Sequence, residues 1–97
     1  MPAYVIGCVT VEHAEGFAEY AQQVPGVVEQ YGGRYLARGQ AAEVFEGGWA
    51  EKRLAVLEFE SVEAAKRWYE SAEYQALAAI RQRCASTDLA LVEAYEA

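Results

Sequence analysis

The sequence predicts an α+β fold of the ferredoxin-like type, two copies of which pair to form a dimeric α+β barrel. Segments with strand and helix patterning follow one another in the order βαββαβ, which is the order of the ferredoxin-like motif. Both helical regions are long enough to cover one face of a sheet. The strand segments carry apolar residues on both faces. Because an exposed apolar sheet face normally marks an interface, we expect a second sheet to pack on it.

The first half of the chain predicts a strand followed by a helix. Ala3–Val11 is rich in Tyr, Val, Ile and Thr and is apolar on both faces, as in a strand covered on both sides. From His13 to Tyr31, large apolar residues recur at steps of three and four, which indicates an amphipathic helix. Pro25-Gly26 removes one helical hydrogen bond, so we expect a kink or a break there. Gly32-Gly33 ends the helix.

Two further strands follow this helix. Arg34–Glu46 has the pattern of a strand, with a bulge expected at Gly39. Gly47-Gly48 then supplies a turn into the next strand, Lys52–Glu60. We therefore expect these two strands to lie side by side in the sheet.

The last third of the chain predicts two helices and a final strand. Ser61 is a natural N-cap for the helix Val62–Ser71, and the serine that ends this helix can cap the next one, Ala72–Cys84. Along that last helix one side carries Tyr74, Leu77, Ala78 and Arg81. Ser86-Thr87-Asp88 interrupts the pattern, and Leu89–Tyr95 forms the closing strand.

Composition excludes several classes of function. The chain has 97 residues, with 15 acidic against 8 basic side chains and a net charge of −7, so neither nucleic acid nor an anionic membrane surface attracts it. The longest uncharged stretch, Met1–Val11, is about half of the roughly 20 residues that a membrane helix needs. We expect a single cytoplasmic domain over residues 1–97. Its core is small, so a sizeable ligand cavity is expected to need a second subunit.

No residue pattern indicates a metal site or a cofactor. Cys8 and Cys84 lie far apart without the spacing of a zinc or redox motif, so we expect two buried, reduced thiols. His13 is the only histidine. It falls at a helix start, where we expect a surface residue rather than a haem ligand.

Four segments stand in a characteristic order and spacing. They are Tyr31–Gly39 (YGGRYLARG), Glu46-Gly47, Leu57–Phe59 (LEF) and Trp68–Gln75 (WYESAEYQ). In combination they resemble the family called domain of unknown function 1330, over almost the whole chain. The resemblance implies a dimeric α+β barrel of small cytoplasmic bacterial proteins, and it implies no established reaction.

Strand parity singles out charged residues among apolar neighbours. By alternation along the strands, Arg38 shares a face with Leu36, Glu58 with Val56, and Glu93 with Leu91. If these charges share the face away from the helices, they project into the barrel interior. There Glu58 could accept a proton from a substrate and Arg38 could stabilise its negative charge. The alternative is an internal ion pair that only holds the dimer together.

Aromatic side chains form the second candidate set. Tyr4, Tyr20 and Trp68 are candidates for ligand binding, and Tyr20 could cover one mouth of the cavity. Most of the aromatic residues are expected to serve packing, because aromatics at helical spacing bury large areas whatever the function.

Three hypotheses about function remain open. The protein is a cofactor-independent enzyme, isomerase-like or oxygenase-like, that encloses a small organic molecule; or it binds such a molecule without catalysis; or it is a structural dimer with a filled interior. The fold class alone does not choose among them.

Overall fold

The computed structural model describes residues 1–49 and 53–95, and it confirms the ferredoxin-like α+β class. The elements are β1 (Ala3–Val11), α1 (Ala14–Gln30), β2 (Arg34–Ala41), β3 (Arg53–Phe59), α2 (Val62–Glu70), α3 (Ala72–Cys84) and β4 (Ala85–Glu93). The strands form one antiparallel sheet in the order β2-β3-β1-β4. None of the described helices is long and apolar enough to cross a membrane.

Helix α1 runs without interruption through Pro25, so the expected break is wrong. Proline removes only the hydrogen bond to the carbonyl four residues earlier, which is that of Ala21, and the packing of Val24 and Val28 in the core keeps the helix together. The helix ends as predicted. Gly32 has a φ of +81°, and the Gly33 N–H donates to the carbonyl of Val28 at 2.9 Å.

Both predicted serine caps are confirmed. The Ser61 hydroxyl accepts a hydrogen bond from the Ala64 N–H at 3.0 Å. The Ser71 hydroxyl accepts one from the Tyr74 N–H at 3.1 Å and donates to the carbonyl of Trp68 at 2.7 Å. Ser71 therefore ends α2 and begins α3, and it sets the corner that brings both helices onto the sheet.

Strand β4 begins earlier than the sequence predicts. It starts at Ala85, directly after α3, and the Ser86-Thr87-Asp88 triplet pairs with β1 rather than interrupting the pattern. The ladder to β1 supplies the hydrogen bonds that these turn-forming side chains would otherwise seek locally. The strand also ends earlier, at Glu93.

Strand β2 is shorter than predicted and irregular. It ends at Ala41, and its register against β3 shifts twice, between Tyr35 and Ala37 and between Arg38 and Gln40. The bulge expected at Gly39 is confirmed, with a φ of +76°. The following strand begins at Arg53 within the described residues, while Lys52, its predicted start, lies outside them.

The core lies between the sheet and the helices. Val5, Leu57 and Phe59 face the helices from the sheet, and Trp68 and Tyr74 cover them from α2 and α3. The Trp68 ring centroid lies 5.4 Å from that of Phe59 and 4.1 Å from that of Tyr74. Both cysteines are free. Cys84 is buried as predicted, whereas Cys8 is only half-buried on the open face of the sheet.

Candidate functional site

A cavity of about 210 Å³ lies inside the single chain, between the sheet and the helices. One chain forms this cavity by itself, and the expectation that a sizeable ligand cavity needs a second subunit stays a prediction. Its apolar wall includes Phe17, Val24, Leu57, Trp68 and Leu89. Its polar side chains are Tyr20, Tyr35, Tyr74, Thr87 and the arginines Arg38, Arg53 and Arg81. Phe17, Arg38, Gly39 and Arg53 also line a neighbouring surface cleft, which places the mouth of the cavity beside them.

The structure brings together three of the predicted site residues and separates the other two from them. Tyr20, Arg38 and Trp68 line the cavity. Tyr4 and Glu58 are direct partners in the β1–β3 ladder, on the open face of the sheet. There Glu58 forms an ion pair with Arg34, whose Nη2 lies 2.8 Å from the carboxylate Oε1. The proton acceptor and the anion-stabilising arginine expected in one site are thus on opposite faces.

Arg38 lies on the helix side of the sheet because β2 is bulged. It pairs with Ala55, whereas strict alternation from Arg34, which pairs with Glu58, would place it on the open face. The register shift between Tyr35 and Ala37 adds a residue and reverses the parity. Glu93 is also displaced from its expected face: it pairs with the buried Ala3 at an exposed end of β4, away from Glu58.

Pro25 in α1 contributes to the position of Arg38. Proline has no N–H, so the carbonyl of Ala21 lacks its usual helical donor. The Arg38 guanidinium Nη2 donates to this carbonyl instead. The same guanidinium lies 5.5 Å from the centroid of the Tyr35 ring. Arg38 is thus held at the mouth by contacts with α1 and with its own strand.

Two tyrosines of the cavity, Tyr20 and Tyr35, are neutral hydrogen-bonding groups. The hydroxyls of Tyr20 and Tyr74 are 2.9 Å apart, and their rings meet edge to face. Burial raises the pKa of Tyr20 far above its ordinary value, and the neighbouring Tyr74 adds to this effect. Burial also raises the pKa of Tyr35, to about 12. At neutral pH these phenols therefore keep their protons. Tyr20 lines the interior, bonded to Tyr74, rather than covering the mouth.

Arg81 is the main cavity residue that the sequence analysis did not select as a site residue. It is only 6% exposed, it makes no ion pair with any described residue, and its guanidinium lies 5.9 Å from the Tyr20 ring centroid. A signal was available, because Arg81 falls on the same helical side as Tyr74, Leu77 and Ala78, all buried.

Three buried donors of the cavity residues have no hydrogen-bond partner among the described atoms. They are Trp68 Nε1, Arg81 Nε and Thr87 Oγ1. All three residues line the same cavity, although they come from α2, α3 and β4. Buried polar atoms are almost always paired in folded proteins, so this concentration distinguishes the cavity from the rest of the core.

The lining set contains neither a carboxylate nor a histidine. Among residues 1–49 and 53–95, no group of three or more His, Cys, Asp or Glu is placed to hold a metal ion. His13 is exposed at the N-cap of α1, as expected. The arrangement can thus stabilise negative charge and donate hydrogen bonds, whereas the side chains that commonly accept protons are missing from its described walls.

Known structures share this fold. A protein of unknown function, RPA0582 from Rhodopseudomonas palustris, matches with a TM-score of 0.78 and 21% identity, over 99% of this chain and 84% of its own. SnoaB, a cofactor-independent oxygenase from Streptomyces nogalater, matches with a TM-score of 0.71 and 10% identity, over 99% and 95%. A Caulobacter crescentus protein inferred to be an antibiotic biosynthesis monooxygenase matches with a TM-score of 0.69 and 15% identity, over 98% and 91%.

The sequence comparisons address the family. No curated protein matches the chain significantly. The model of the family described as domain of unknown function (DUF1330) matches residues 2–95, in agreement with the four segments noted in the sequence. The chain therefore belongs to the DUF1330 family.

Proposed function

We propose that the protein binds a small organic molecule in the cavity between sheet and helices and oxidises it with O₂, without a metal or an organic cofactor. The observation that carries the proposal is the cavity itself, an aromatic-lined space inside one chain whose described lining has hydrogen-bond donors and cations but no carboxylate or histidine. The shared fold of a cofactor-independent oxygenase supports it. A shared fold alone would not support a shared reaction, because one fold hosts many unrelated functions.

The chemistry of the lining favours oxygenation over isomerisation. An isomerase that moves a proton between two carbon atoms needs a group that accepts the proton and returns it. Tyr20 and Tyr35 stay protonated at neutral pH, and arginine cannot accept a proton. An oxygenase acting on an enolate avoids this need, because a sufficiently acidic substrate ionises without help from the protein.

The balanced reaction takes its electrons from the substrate. The CH₂ group that ionises to give the enolate and one O₂ become a C=O group and one water, with the O–O bond broken and that carbon oxidised. The proton lost when the substrate ionises returns to oxygen in that water. Arg38 at the mouth stabilises negative charge and the tyrosine hydroxyls donate to the substrate's oxygen atoms. Glu58 has no part in this proposal, since it lies on the other face of the sheet.

We further propose that two copies pack through their open sheet faces. Ile6, Leu36 and Val92 are 36%, 48% and 48% exposed, and Val92 lies opposite Tyr4 on that face. The molecule measures 34 × 33 × 15 Å, so its broad face has an area of roughly 1,100 Å². A standard protein interface buries about 800 Å² on each partner, so this face is large enough to form one. In light scattering we expect a dimer, and Ile6→Glu should yield monomers. Ala76→Glu, on the exposed side of α3, should not.

Two measurements test the function. Native mass spectrometry of freshly purified protein should show a discrete small-molecule adduct. An oxygen electrode at mildly alkaline pH should record uptake with benzoylacetone, a single-ring 1,3-diketone whose central CH₂ is acidic enough to ionise unaided, and Trp68→Ala should abolish it. Glu58→Gln should keep full uptake. Binding of the diketone without oxygen uptake would favour the non-catalytic binding hypothesis. Failure to bind it, together with a bare mass spectrum, would contradict the proposal.

A further inference from the structure

We propose that the cavity contains an oxyanion site, in which Arg81, Trp68 and Thr87 of its wall bind an anionic oxygen on a flat, single-ring organic ligand. This inference rests on the proposed function in one respect, that the cavity holds a small molecule. It adds the charge of that molecule, the residues that recognise the charge, and the size of the ring to which the charged group is attached.

Arg81 is buried without an anionic partner among the described residues. An arginine without an anionic partner is costly to bury, since the guanidinium remains charged and loses its hydration. The Tyr20 ring, at 5.9 Å, offsets only part of this cost. The chain carries 15 acidic residues, yet none of those within residues 1–49 and 53–95 lines the cavity. A bound anion would supply the missing partner.

Two further polar atoms of the cavity wall, Trp68 Nε1 and Thr87 Oγ1, are also buried without a hydrogen-bond partner in the described part of the chain. Trp68 Nε1 and Arg81 Nε can only donate hydrogen bonds, and neither has an acceptor among the described atoms. A ligand that satisfies both must present lone pairs, which excludes an ammonium group. Thr87 Oγ1 adds a third unpaired group from the opposite side of the cavity, on β4. A carboxylate or an enolate oxygen has the acceptor capacity that this set requires.

The apolar walls and the volume of the cavity limit the size and shape of the ligand's apolar part. Phe17, Trp68 and Leu89 provide an apolar wall around the donors, which suits a flat ring. A cavity of about 150 Å³ is large enough for benzene, so the 210 Å³ observed here accommodates one ring together with an acidic substituent. A larger ligand would have to extend through the mouth beside Arg38.

The test compares anionic and neutral probes of the same shape by isothermal titration calorimetry. One pair is benzoate and benzamide, and the other is para-nitrophenolate and nitrobenzene at mildly alkaline pH. The wild-type protein should prefer at least one anion over its neutral counterpart by about 10- to 100-fold, as expected for charge-assisted hydrogen bonds. The benzoate pair reports a carboxylate ligand and the nitrophenolate pair an enolate-like one.

Variants assign the preference to Arg81. Arg81→Met should reduce it to less than about 3-fold while the neutral probe binds as before, and Arg81→Lys should retain part of it. The matched control is Arg83→Met, an exposed arginine of the same helix, which should keep the whole preference. Circular dichroism establishes that each variant is folded.

The outcomes separate the two proposals. Equal binding of anionic and neutral probes by the wild-type protein would overturn the oxyanion site and leave the proposed function standing. A preference that survives in Arg81→Met would also overturn it, because the charge would then be recognised elsewhere. Absence of binding by all four probes would overturn the oxyanion site, whereas oxygen uptake with benzoylacetone would still support the oxidation.

Discussion

Replacing Arg81 by methionine should stabilise the ligand-free protein. Methionine keeps most of the length of the side chain and removes the charge of a residue that is only 6% exposed and has no ion pair among the described residues. Replacing buried ion pairs by apolar side chains of similar volume gains ~1–4 kcal/mol in other proteins. The variant loses the contact with the Tyr20 ring, worth ~1 kcal/mol. We expect a net gain of about 2 kcal/mol.

Thermal and urea unfolding followed by circular dichroism measure this gain. For a domain of this size each kcal/mol raises Tm by ~4–8 °C, so Arg81→Met should raise it by about 8–16 °C. Both proteins are refolded from denaturant first, so that no carried ligand stabilises one of them. They are compared at one protein concentration, because dimer formation would make Tm depend on it.

A loss of stability would refute the reasoning. If Arg81→Met unfolds at lower urea concentration than the wild-type protein, the guanidinium has a structural partner in the folded state and does not await a ligand. The same experiment on Arg83→Met sets the baseline, because Arg83 is exposed and exposed substitutions change stability by only about 0.5 kcal/mol.

Three further predictions concern stability. Burial raises the Tyr35 pKa to about 12 from 10.0; the unfolded chain therefore loses this proton first, and stability falls between those pH values by about 1.4 kcal/mol per pH unit. Tyr35→Phe should make that fall shallower by this amount in urea titrations at stepped pH. Gly33→Ala places a Cβ 2.5 Å from the Phe59 ring and should cost about 1–3 kcal/mol, whereas Gly26→Ala in α1 meets nothing within 4 Å and should gain about 0.5–1 kcal/mol; equal urea midpoints would contradict both. Ser71→Ala removes the cap of α3 and should cost about 1 kcal/mol, and an unchanged midpoint would show that the cap contributes nothing.

Elements that depend on nearby residues were predictable from the sequence. The bounds of β1 and α3 agree with the prediction residue for residue. The caps by Ser61 and Ser71 were also foreseen. Helix periodicity and capping act over three or four residues, so the pattern that specifies them is present in the segment itself. The four segments likewise identified the DUF1330 family, which the family model confirms.

The composition of the cavity was predictable only in part. Tyr20, Arg38 and Trp68 were selected because aromatic and charged side chains stand out against an apolar pattern. They line the cavity between sheet and helices rather than the barrel interior that the sequence suggested, and their role in ligand binding stays a prediction. Arg81 was placed on one side of the last helix without a role in the site, and Thr87 was assigned to a break in the pattern. Their importance comes from the lack of partners around their polar atoms, and that lack depends on what every other element places nearby.

The sequence by itself determined the element order, the ferredoxin-like class and the apolar character of both sheet faces. Tertiary structure decided which face each side chain of β2 occupies, and therefore that Arg38 meets the helices while Glu58 does not. Alternation along a strand is a local property, but a bulge is defined by the partner strand, which leaves one residue unpaired and reverses all that follow. Arg38 therefore lies on the helix side of the sheet and not on the open face because of a single register shift, which no local pattern contains.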